Sequence, residues 1–190
     1  MLILASTSAY RRALLKRLGL PFTALAPGVD EAPTPLQAPL ERAQRLALAK
    51  ASAVAAAHPQ ATIIGSDQLA VCKGELLEKP GSPERCREQL RWASASAATF
   101  YTAVAVLQPE RAQTLQFVDT TTVYFRALTE AEIDRYIAQD NPLDCAGGFR
   151  CEGLGISLFA RIATEDPTAL IGLPLIGLAR ALRQCGHPIP

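Results

Sequence analysis

Four short segments of the chain concentrate the polar residues whose types could do chemistry. Cationic side chains can neutralise a polyphosphate, and hard carboxylate oxygens can hold Mg²⁺ or Mn²⁺ and position or deprotonate an attacking water molecule. The segments are Ser6-Thr-Ser8 with Arg11 and Arg12, Val29-Asp-Glu31, Gly65-Ser-Asp67-Gln68, and Glu78-Lys79-Pro80. The candidate cations are Arg11, Arg12, Lys50 and Lys79, and the candidate carboxylates are Glu31 and Asp67. This mixture of acids and bases favours cleavage of a phosphoanhydride bond.

Residues 6–12 have the composition of a helix start that binds an anion. Hydroxyl groups and free backbone N–H groups at a helix N-terminus, beside the guanidinium groups of Arg11 and Arg12, match a phosphate in geometry and charge. The simpler interpretation is that Ser8 only caps the helix and that both arginines are solvated. The sequence alone leaves both interpretations open.

Asp67 follows the apolar run 61–64, which predicts a buried strand that delivers polar side chains at its carboxyl end. Ligands of α/β sheets bind at such ends, so metal ligation or base chemistry is open to this carboxylate. It could equally accept hydrogen bonds from loop amides. Glu31 is either a second metal ligand or an exposed acid.

Strands and helices alternate along the chain. The sequence predicts a proline-rich loop at 27–39, a hairpin at 69–78 and a glycine loop at 144–149. Strands are predicted at 1–5, 61–66, 100–107, 114–125 and 156–162, and helices after Ser8, at 40–57, after Ser82, at 129–139 and at 174–184. The pattern predicts one α/β domain over residues 1–190, with a mixed central sheet flanked by helices.

Composition excludes several functional classes. The 190 residues include 19 Lys plus Arg and 18 Asp plus Glu. The resulting net charge of +1 is too small to hold the chain on a nucleic acid or an acidic membrane. No signal peptide or transmembrane segment is recognised. A serine or cysteine triad is disfavoured because neither His58 nor His187 lies in the polar segments.

Five cysteines without a CxxC pair indicate neither a disulfide framework nor a zinc site. Thiols buried as small apolar groups are the expected alternative. Reduced thiols suit a cytoplasmic protein.

Taken in order, these segments resemble the Maf family of nucleotide pyrophosphatases. The resemblance spans essentially the whole chain. Its carriers are Leu4-Ala-Ser-Thr-Ser-Ala-Tyr-Arg-Arg12, Val29-Asp-Glu31, Arg45-Leu-Ala-Leu-Ala-Lys50, Ile64-Gly-Ser-Asp-Gln68, Lys79-Pro80, Phe100-Tyr-Thr102, Asp144-Cys-Ala-Gly147 and Glu152-Gly-Leu-Gly-Ile156. It implies a fold similar to that of inosine-triphosphate pyrophosphatases, with a cleft between two lobes. It also implies hydrolysis of a nucleoside triphosphate to a monophosphate and diphosphate.

The resemblance assigns roles to particular residues. It implies that Asp67 is the catalytic base, with a divalent cation, Mg²⁺ or Mn²⁺, held by Glu31 and Asp67. The surrounding site positions are Ser6, Arg11, Arg12, Lys50 and Lys79, the two lysines among the catalytic groups. Family members are often homodimers, and neither a nucleic acid nor a membrane is an expected partner.

Tyr10, Gln68 and Glu152 indicate a branch of the family. They stand where a branch that acts on dTTP and UTP has Arg, Thr and Gln, which favours the branch that acts on 7-methyl-GTP. The methylated guanine is cationic, so an aromatic face would attract it and a carboxylate could accept hydrogen bonds from its N1–H and 2-amino groups. The alternatives are that Tyr10 packs against the first strand and that Glu152 pairs with Arg150.

The chain departs from the family pattern at two places. Ala9 replaces a usual proline, and Ala95-Ser96 replaces a common Gly-Lys pair, which removes a cation from a phosphate or surface contact. A competing hypothesis, suggested by the family's association with septum formation, is a nucleotide-sensing regulator of cell division. The retained Asp67, Glu31 and cationic residues favour an enzyme instead.

Overall fold

The structure, a computed structural model, describes residues 1–32 and 37–190. Residues 33–36 of the predicted proline-rich loop lie outside the described residues. The strands are β1 (Leu2–Ala5), β2 (Thr23–Leu25), β3 (Thr62–Cys72), β4 (Glu75–Leu77), β5 (Ala97–Gln108), β6 (Gln113–Phe125) and β7 (Phe159–Ala163). The helices are α1 (Ala9–Lys16), α2 (Pro39–Ala55), α3 (Pro83–Ala93), α4 (Glu130–Asp140) and α5 (Leu175–Gln184). None of the helices in the described part is both long and apolar enough to cross a membrane.

The strands form one mixed sheet flanked by helices, which confirms the predicted fold class. The strand order is β2-β1-β3-β5-β6-β7, and β4 pairs with β3. β1 is parallel to both β2 and β3, with Leu4 opposite Ala24 and Ile64, whereas β3–β4 and β6–β7 are antiparallel. Two compact units divide the chain: Met1–Gln68, Tyr101–Asp119 and Asp166–Pro190 form the first, and Leu69–Phe100 and Thr120–Glu165 form the second.

The first unit has a core built from leucine-rich helix faces packed on strands. Helix α1 begins at the N-cap Ser8, whose hydroxyl accepts a hydrogen bond from the Arg11 backbone N–H at 3.3 Å. The helix buries Leu14 and Leu15 on one face. The buried members of this core are Leu2, Leu4, Leu14, Leu15, Ile64, Val104, Val106, Leu173, Leu175, Leu178, Ala181, Leu182 and Cys185. Burying each leucine contributes about 1.5–3 kcal/mol, which fixes α1 against β1.

The second unit has an aromatic core. Phe149 packs edge-to-face against Phe100, Phe125 and Phe159, with ring centroids 4.8–5.7 Å apart. Helix α4 begins with a capping box, in which Thr129 and Glu132 bond each other's backbone N–H groups. The aromatic cluster anchors the glycine loop predicted at 144–149, because Phe149 is its last residue.

Three predicted strand boundaries are wrong. The strand predicted at 100–107 already begins at Ala97. The strand predicted at 61–66 continues through Asp67 to Cys72, because its distal residues 70–72 pair with 75–77 in the predicted hairpin. The strand predicted at 156–162 begins only at Phe159, after a 3₁₀ turn at Leu154–Leu158. In that turn Gly155 packs against the Arg150 backbone, where a Cβ would lie 2.9 Å from the Arg150 nitrogen.

Candidate active site

Two carboxylates of the first unit share one buried ammonium group. The Nζ of Lys50 lies 2.6 Å from Oδ1 of Asp67 and 2.7 Å from Oε1 of Glu31. Lys50 and Asp67 are each 5% exposed, whereas the Glu31 side chain is 58% exposed. Three residues that lie far apart in sequence therefore form one charged cluster with a buried end and an open end.

Helix α2 and strand β3 position this cluster. The buried residues of α2 are Ala43, Leu46, Ala47, Lys50, Ala51 and Val54, so Lys50 lies within an otherwise apolar face. A lysine on such a face is costly unless a carboxylate neutralises it. Asp67 meets this requirement from the middle of β3. Asp67 lies within a continuous strand whose residues 62–64 pair with β1 and whose residues 70–72 pair with β4.

Arg42 and Arg45, also on α2, hold the segment that carries Glu31. Arg42 Nη2 donates to the Glu31 carbonyl oxygen at 2.9 Å. Arg45 Nη2 donates to the Ala32 carbonyl oxygen at 3.5 Å. Sequence reasoning gave neither arginine a role. The available signal was spacing: Arg42 and Lys50 are two helical turns apart, so they lie on the same side of α2.

The predicted anion-binding helix start is built as a compact set of polar contacts. Ser6 is buried, and its Oγ accepts a hydrogen bond from the Ser8 backbone N–H at 3.2 Å. Arg11 is partly buried and uses Nε to donate to the Gly172 carbonyl oxygen at 2.9 Å, and Ser66 Oγ donates to the same oxygen at 3.1 Å. Nε of Arg11 thus anchors the side chain, and the two terminal guanidinium nitrogens take no part in this contact.

Arg11 is electrostatically linked to the acid cluster. Burial lowers the pKa of Arg11, and the negative charges of Asp67 and Glu31 act in the opposite direction. Arg12, one residue later, is exposed. The first unit therefore joins Arg11, Lys50, Glu31 and Asp67 in one electrostatic group.

Gln68 uses its amide nitrogen inside the protein. Nε2 lies 2.9 Å from both Thr102 Oγ1 and the Ala169 carbonyl oxygen, and 3.2 Å from the Leu170 carbonyl oxygen. These contacts fix the orientation of the amide and hold the segment that ends at Gly172. A ligand that meets Gln68 can therefore use only its Oε1. Tyr10, the other predicted base-binding residue of this unit, is half-buried.

Asp166 stabilises the segment that ends at Gly172, and this role was not predicted from the sequence. Its Oδ1 accepts a hydrogen bond from the Thr168 backbone N–H at 2.9 Å, and its Oδ2 accepts one from the Ile176 backbone N–H at 2.6 Å. The carboxylate is buried. An Asp two residues before a Thr is a common local turn signal, but the link to residue 176 has no sequence signature.

Lys79 belongs to the second unit and is exposed on the connection between β4 and α3. The preceding carbonyl oxygen, of Glu78, accepts hydrogen bonds from Gln89 Nε2 at 3.0 Å and from the Gly147 backbone N–H at 3.3 Å. The Gly81 backbone N–H donates to the Leu143 carbonyl oxygen at 3.0 Å. Lys79 is therefore an exposed cation on a hydrogen-bonded segment of backbone.

Glu152 also belongs to the second unit and is exposed in a tight turn. The Cys151 thiol donates to Glu152 Oε2 at 3.4 Å, and burial raises the pKa of this thiol to about 12. The neighbouring Arg150 forms an ion pair with Asp140 at 2.6 Å. All five cysteines are free, with Cys72, Cys86 and Cys185 buried and Cys145 and Cys151 half-buried.

The pair Glu31 and Asp67 fits a hard divalent cation. Both carboxylates already surround a single positive charge, that of Lys50, at hydrogen-bonding distance. Mg²⁺ is bound in proteins by one or two carboxylates that leave further positions to phosphate oxygens and water. Within residues 1–32 and 37–190 no group of three or more His, Cys, Asp or Glu side chains could hold a metal ion. A two-carboxylate site shared with a substrate is the arrangement that these donors support.

Comparisons with known proteins identify relatives over the full length. The sequence model of a family described as Maf-like protein matches residues 1–185. A protein of Xanthomonas axonopodis pv. citri named 7-methyl-GTP pyrophosphatase is 56% identical over 189 residues, which cover 100% of this chain and 98% of that relative. A Bordetella pertussis protein with the same name is 52% identical over 185 residues, covering 97% and 92% respectively.

A solved structure supports the fold. The Staphylococcus aureus Ham1 protein matches with a TM-score of 0.53 at 16% identity, and the match covers 98% of this chain and 99% of that one. At this identity the likeness concerns the fold alone. The mixed α/β architecture is therefore shared beyond the range of close sequence relatives.

Proposed function

Since the chain belongs to the family of Maf-like proteins, we propose that it is a nucleotide pyrophosphatase that hydrolyses 7-methyl-GTP to 7-methyl-GMP and diphosphate. The observation that carries this proposal is the cluster of Glu31, Lys50 and Asp67 in a chain whose full-length relatives are named for that activity. The cluster combines a buried carboxylate and a buried cation with a second, exposed carboxylate, and phosphoanhydride cleavage requires such a combination of acids and cations.

Phosphate binding is proposed for the helix start and the nearby cations. Ser6 and the first turn of α1 supply hydroxyl and N–H donors, and the guanidinium of Arg11 supplies charge. The hydrogen bond of Arg11 Nε to Gly172 supports this role, because an arginine anchored by Nε keeps its terminal nitrogens in a defined direction. Arg12 and Lys79 are exposed and contribute positive charge to the polyphosphate.

Asp67 is proposed as the general base that takes the proton of the attacking water. Its carboxylate is buried and oriented by Lys50, so little reorganisation is needed when the water approaches. Glu31 and Asp67 would hold the divalent cation. When bound, that cation supplies positive charge that polarises phosphoryl oxygens and lowers the pKa of water. Lys50 keeps the two carboxylates converged and places its own charge beside the phosphates.

Recognition of the methylated base is proposed for Tyr10, Gln68 and Glu152. A half-buried tyrosine can stack on a cationic ring, and an exposed glutamate can accept two hydrogen bonds from the guanine edge. Gln68 can contribute only an acceptor, because its nitrogen is held by three protein oxygens.

A panel of purified nucleotides tests the proposal. Diphosphate release from 7-methyl-GTP, GTP, dTTP and UTP would be measured with and without Mg²⁺ or Mn²⁺. We expect the highest kcat/KM for 7-methyl-GTP and its loss in Asp67→Asn. Equal or faster turnover of dTTP and UTP would reject the substrate, and nucleotide binding without turnover would favour a nucleotide-sensing regulator.

Glu152→Gln tests the proposed base contact. It should weaken transition-state binding of 7-methyl-GTP by about 1.5–3 kcal/mol, the range for a hydrogen bond to a charged group, with little change for UTP. Glu78→Gln, at an exposed acid of the same unit, is the matched control and should leave the ratio of the two kcat/KM values unchanged.

A further inference from the structure

A buried acid in the second unit contacts the turn that carries Glu152. Asp140 is the last residue of α4 and is 6% exposed. Arg150 Nη2 donates to Asp140 Oδ1 at 2.6 Å and to the Asp140 carbonyl oxygen at 2.5 Å. One guanidinium nitrogen therefore joins the end of a helix to the first residue of the turn.

The turn is fitted to this carboxylate. Gly153 packs directly on it, because a Cβ at residue 153 would lie 2.8 Å from Asp140 Oδ1. The Arg150 backbone N–H donates to the hydroxyl of the buried Tyr136 at 3.0 Å, and the Gly153 backbone N–H donates to the Arg150 carbonyl oxygen at 3.2 Å. Contacts with Asp140 and Tyr136 thus hold residues 150–153 in place, and Glu152 within this turn is exposed.

Packing alone does not explain why a charged carboxylate is buried at residue 140. Burial opposes ionisation, but hydrogen bonds from Arg150, Tyr136 and the Gly155 backbone, together with the charge of Arg150, outweigh it, so the pKa of Asp140 lies below its ordinary value. Because a buried ion pair contributes little net stability, we take the role of this pair to be the local geometry that it specifies.

We infer that Asp140, acting through Arg150, is a positioning residue that sets the location of Glu152 and thereby the selectivity for the nucleobase. This inference rests on the proposed role of Glu152. Asp140 touches no substrate. It fixes the turn so that the exposed carboxylate of Glu152 meets the base edge in one orientation, and a displaced turn would lose that contact while phosphate binding and hydrolysis continue.

The test is the ratio of kcat/KM for 7-methyl-GTP to kcat/KM for UTP. Asp140→Asn should lower this ratio about tenfold, mainly through KM for 7-methyl-GTP, which corresponds to a weakened charged hydrogen bond. Asp134→Asn removes an exposed acid from the same helix, where it pairs with Arg87, and serves as the control with an unchanged ratio. Circular dichroism and the Tm establish that each variant is folded.

The double variant distinguishes positioning from a general loss of stability. If Asp140 acts through Glu152, Asp140→Asn combined with Glu152→Gln has the same ratio as Glu152→Gln alone. A purely structural role would lower kcat/KM for both nucleotides equally and leave the ratio at the parent value, which would overturn the inference.

Two further outcomes are distinguishable. If Asp140→Asn yields no folded protein, Arg150→Lys replaces it, because lysine keeps a cation next to Asp140 but lacks the planar guanidinium group. The same fall in the ratio is then expected, and an unchanged ratio overturns the inference.

If the parent chain does not favour 7-methyl-GTP, the proposed function fails. If it does and Glu152→Gln alone lowers the ratio, only the role of Asp140 fails.

Discussion

Gly65 on β3 lies directly against Ala47 on α2. A Cβ at residue 65 would collide with the Ala47 carbonyl oxygen and would lie 2.7 Å from the Ala51 backbone nitrogen. The two backbones can approach this closely only because residue 65 has no side chain. Lys50 follows Ala47 by one helical turn, and Asp67 follows Gly65 by two residues along the strand, so this contact brings the ammonium and the carboxylate together.

Gly65→Ala should therefore impair both stability and activity. The added methyl group meets backbone atoms that cannot turn away, so we expect a loss of about 3 kcal/mol in the free energy of unfolding, at the upper end of overpacking costs. Gly19→Ala is the control: Gly19 has a φ of +71° but no heavy atom within 4 Å of the added Cβ, so only backbone strain of about 1 kcal/mol is expected, with activity retained. Urea denaturation and diphosphate release measure the two effects, and equal losses in both variants would contradict the expectation.

Lys50→Met should destabilise the chain because it leaves the buried Asp67 without its cation. We expect a loss of about 3 kcal/mol, and a partial recovery in the double variant Lys50→Met with Asp67→Asn, since the uncompensated charge is then gone. Glu31→Gln should cost much less because the Glu31 side chain is largely exposed. Unfolding in urea tests this series. A double variant less stable than Lys50→Met would show that the charge of Asp67 is compensated elsewhere.

Arg11→Lys should lower kcat/KM for the nucleotide about tenfold or more. Lysine keeps the charge but cannot donate to the Gly172 carbonyl oxygen and to a phosphate in the same fixed plane. Arg17→Lys, at the exposed C-terminal end of α1, is the matched control and should behave like the parent chain. Steady-state kinetics at several nucleotide concentrations measure kcat/KM for each variant. If both variants match the parent, Arg11 has no role in phosphate binding.

The capping box of α4 should make stability depend on pH. Hydrogen bonds from the Thr129 backbone and side chain, and from Arg126, lower the pKa of Glu132 from 4.5 to about 2. A carboxyl group whose pKa is lower in the folded state stabilises the fold above its unfolded-state pKa, and this contribution is lost as the pH falls toward the folded-state value. The difference in unfolding free energy between the parent chain and Glu132→Ala should therefore be larger at about pH 6 than at about pH 3.

Glu132→Gln separates the charge from the cap, because glutamine can still accept the Thr129 hydrogen bond. Its stability difference from the parent should also shrink as the pH falls, but from a smaller value. A difference that stays constant from about pH 6 to about pH 3 would contradict the lowered pKa.

The sequence determined the local elements and the chemical class of the site. Ser8, Ser82 and Thr129 marked helix starts that the structure confirms, since capping is a contact between residues three apart and needs no distant partner. The ordered acids and cations indicated the family, which the comparison over residues 1–185 confirms. The roles given to the individual site residues stay predictions.

Only the tertiary structure decided which residues meet. Lys50 and Asp67 are 17 residues apart, and Arg11 and Gly172 are 161 apart, so no spacing rule could pair them. The end predicted for the strand before Asp67 was wrong because pairing with β4 extends that strand beyond its apolar run. The link from Asp140 to the Glu152 turn was invisible for the same reason. Propensity and capping act within a few residues, whereas the site is assembled by packing of helices on a sheet, which brings together residues that are distant in sequence.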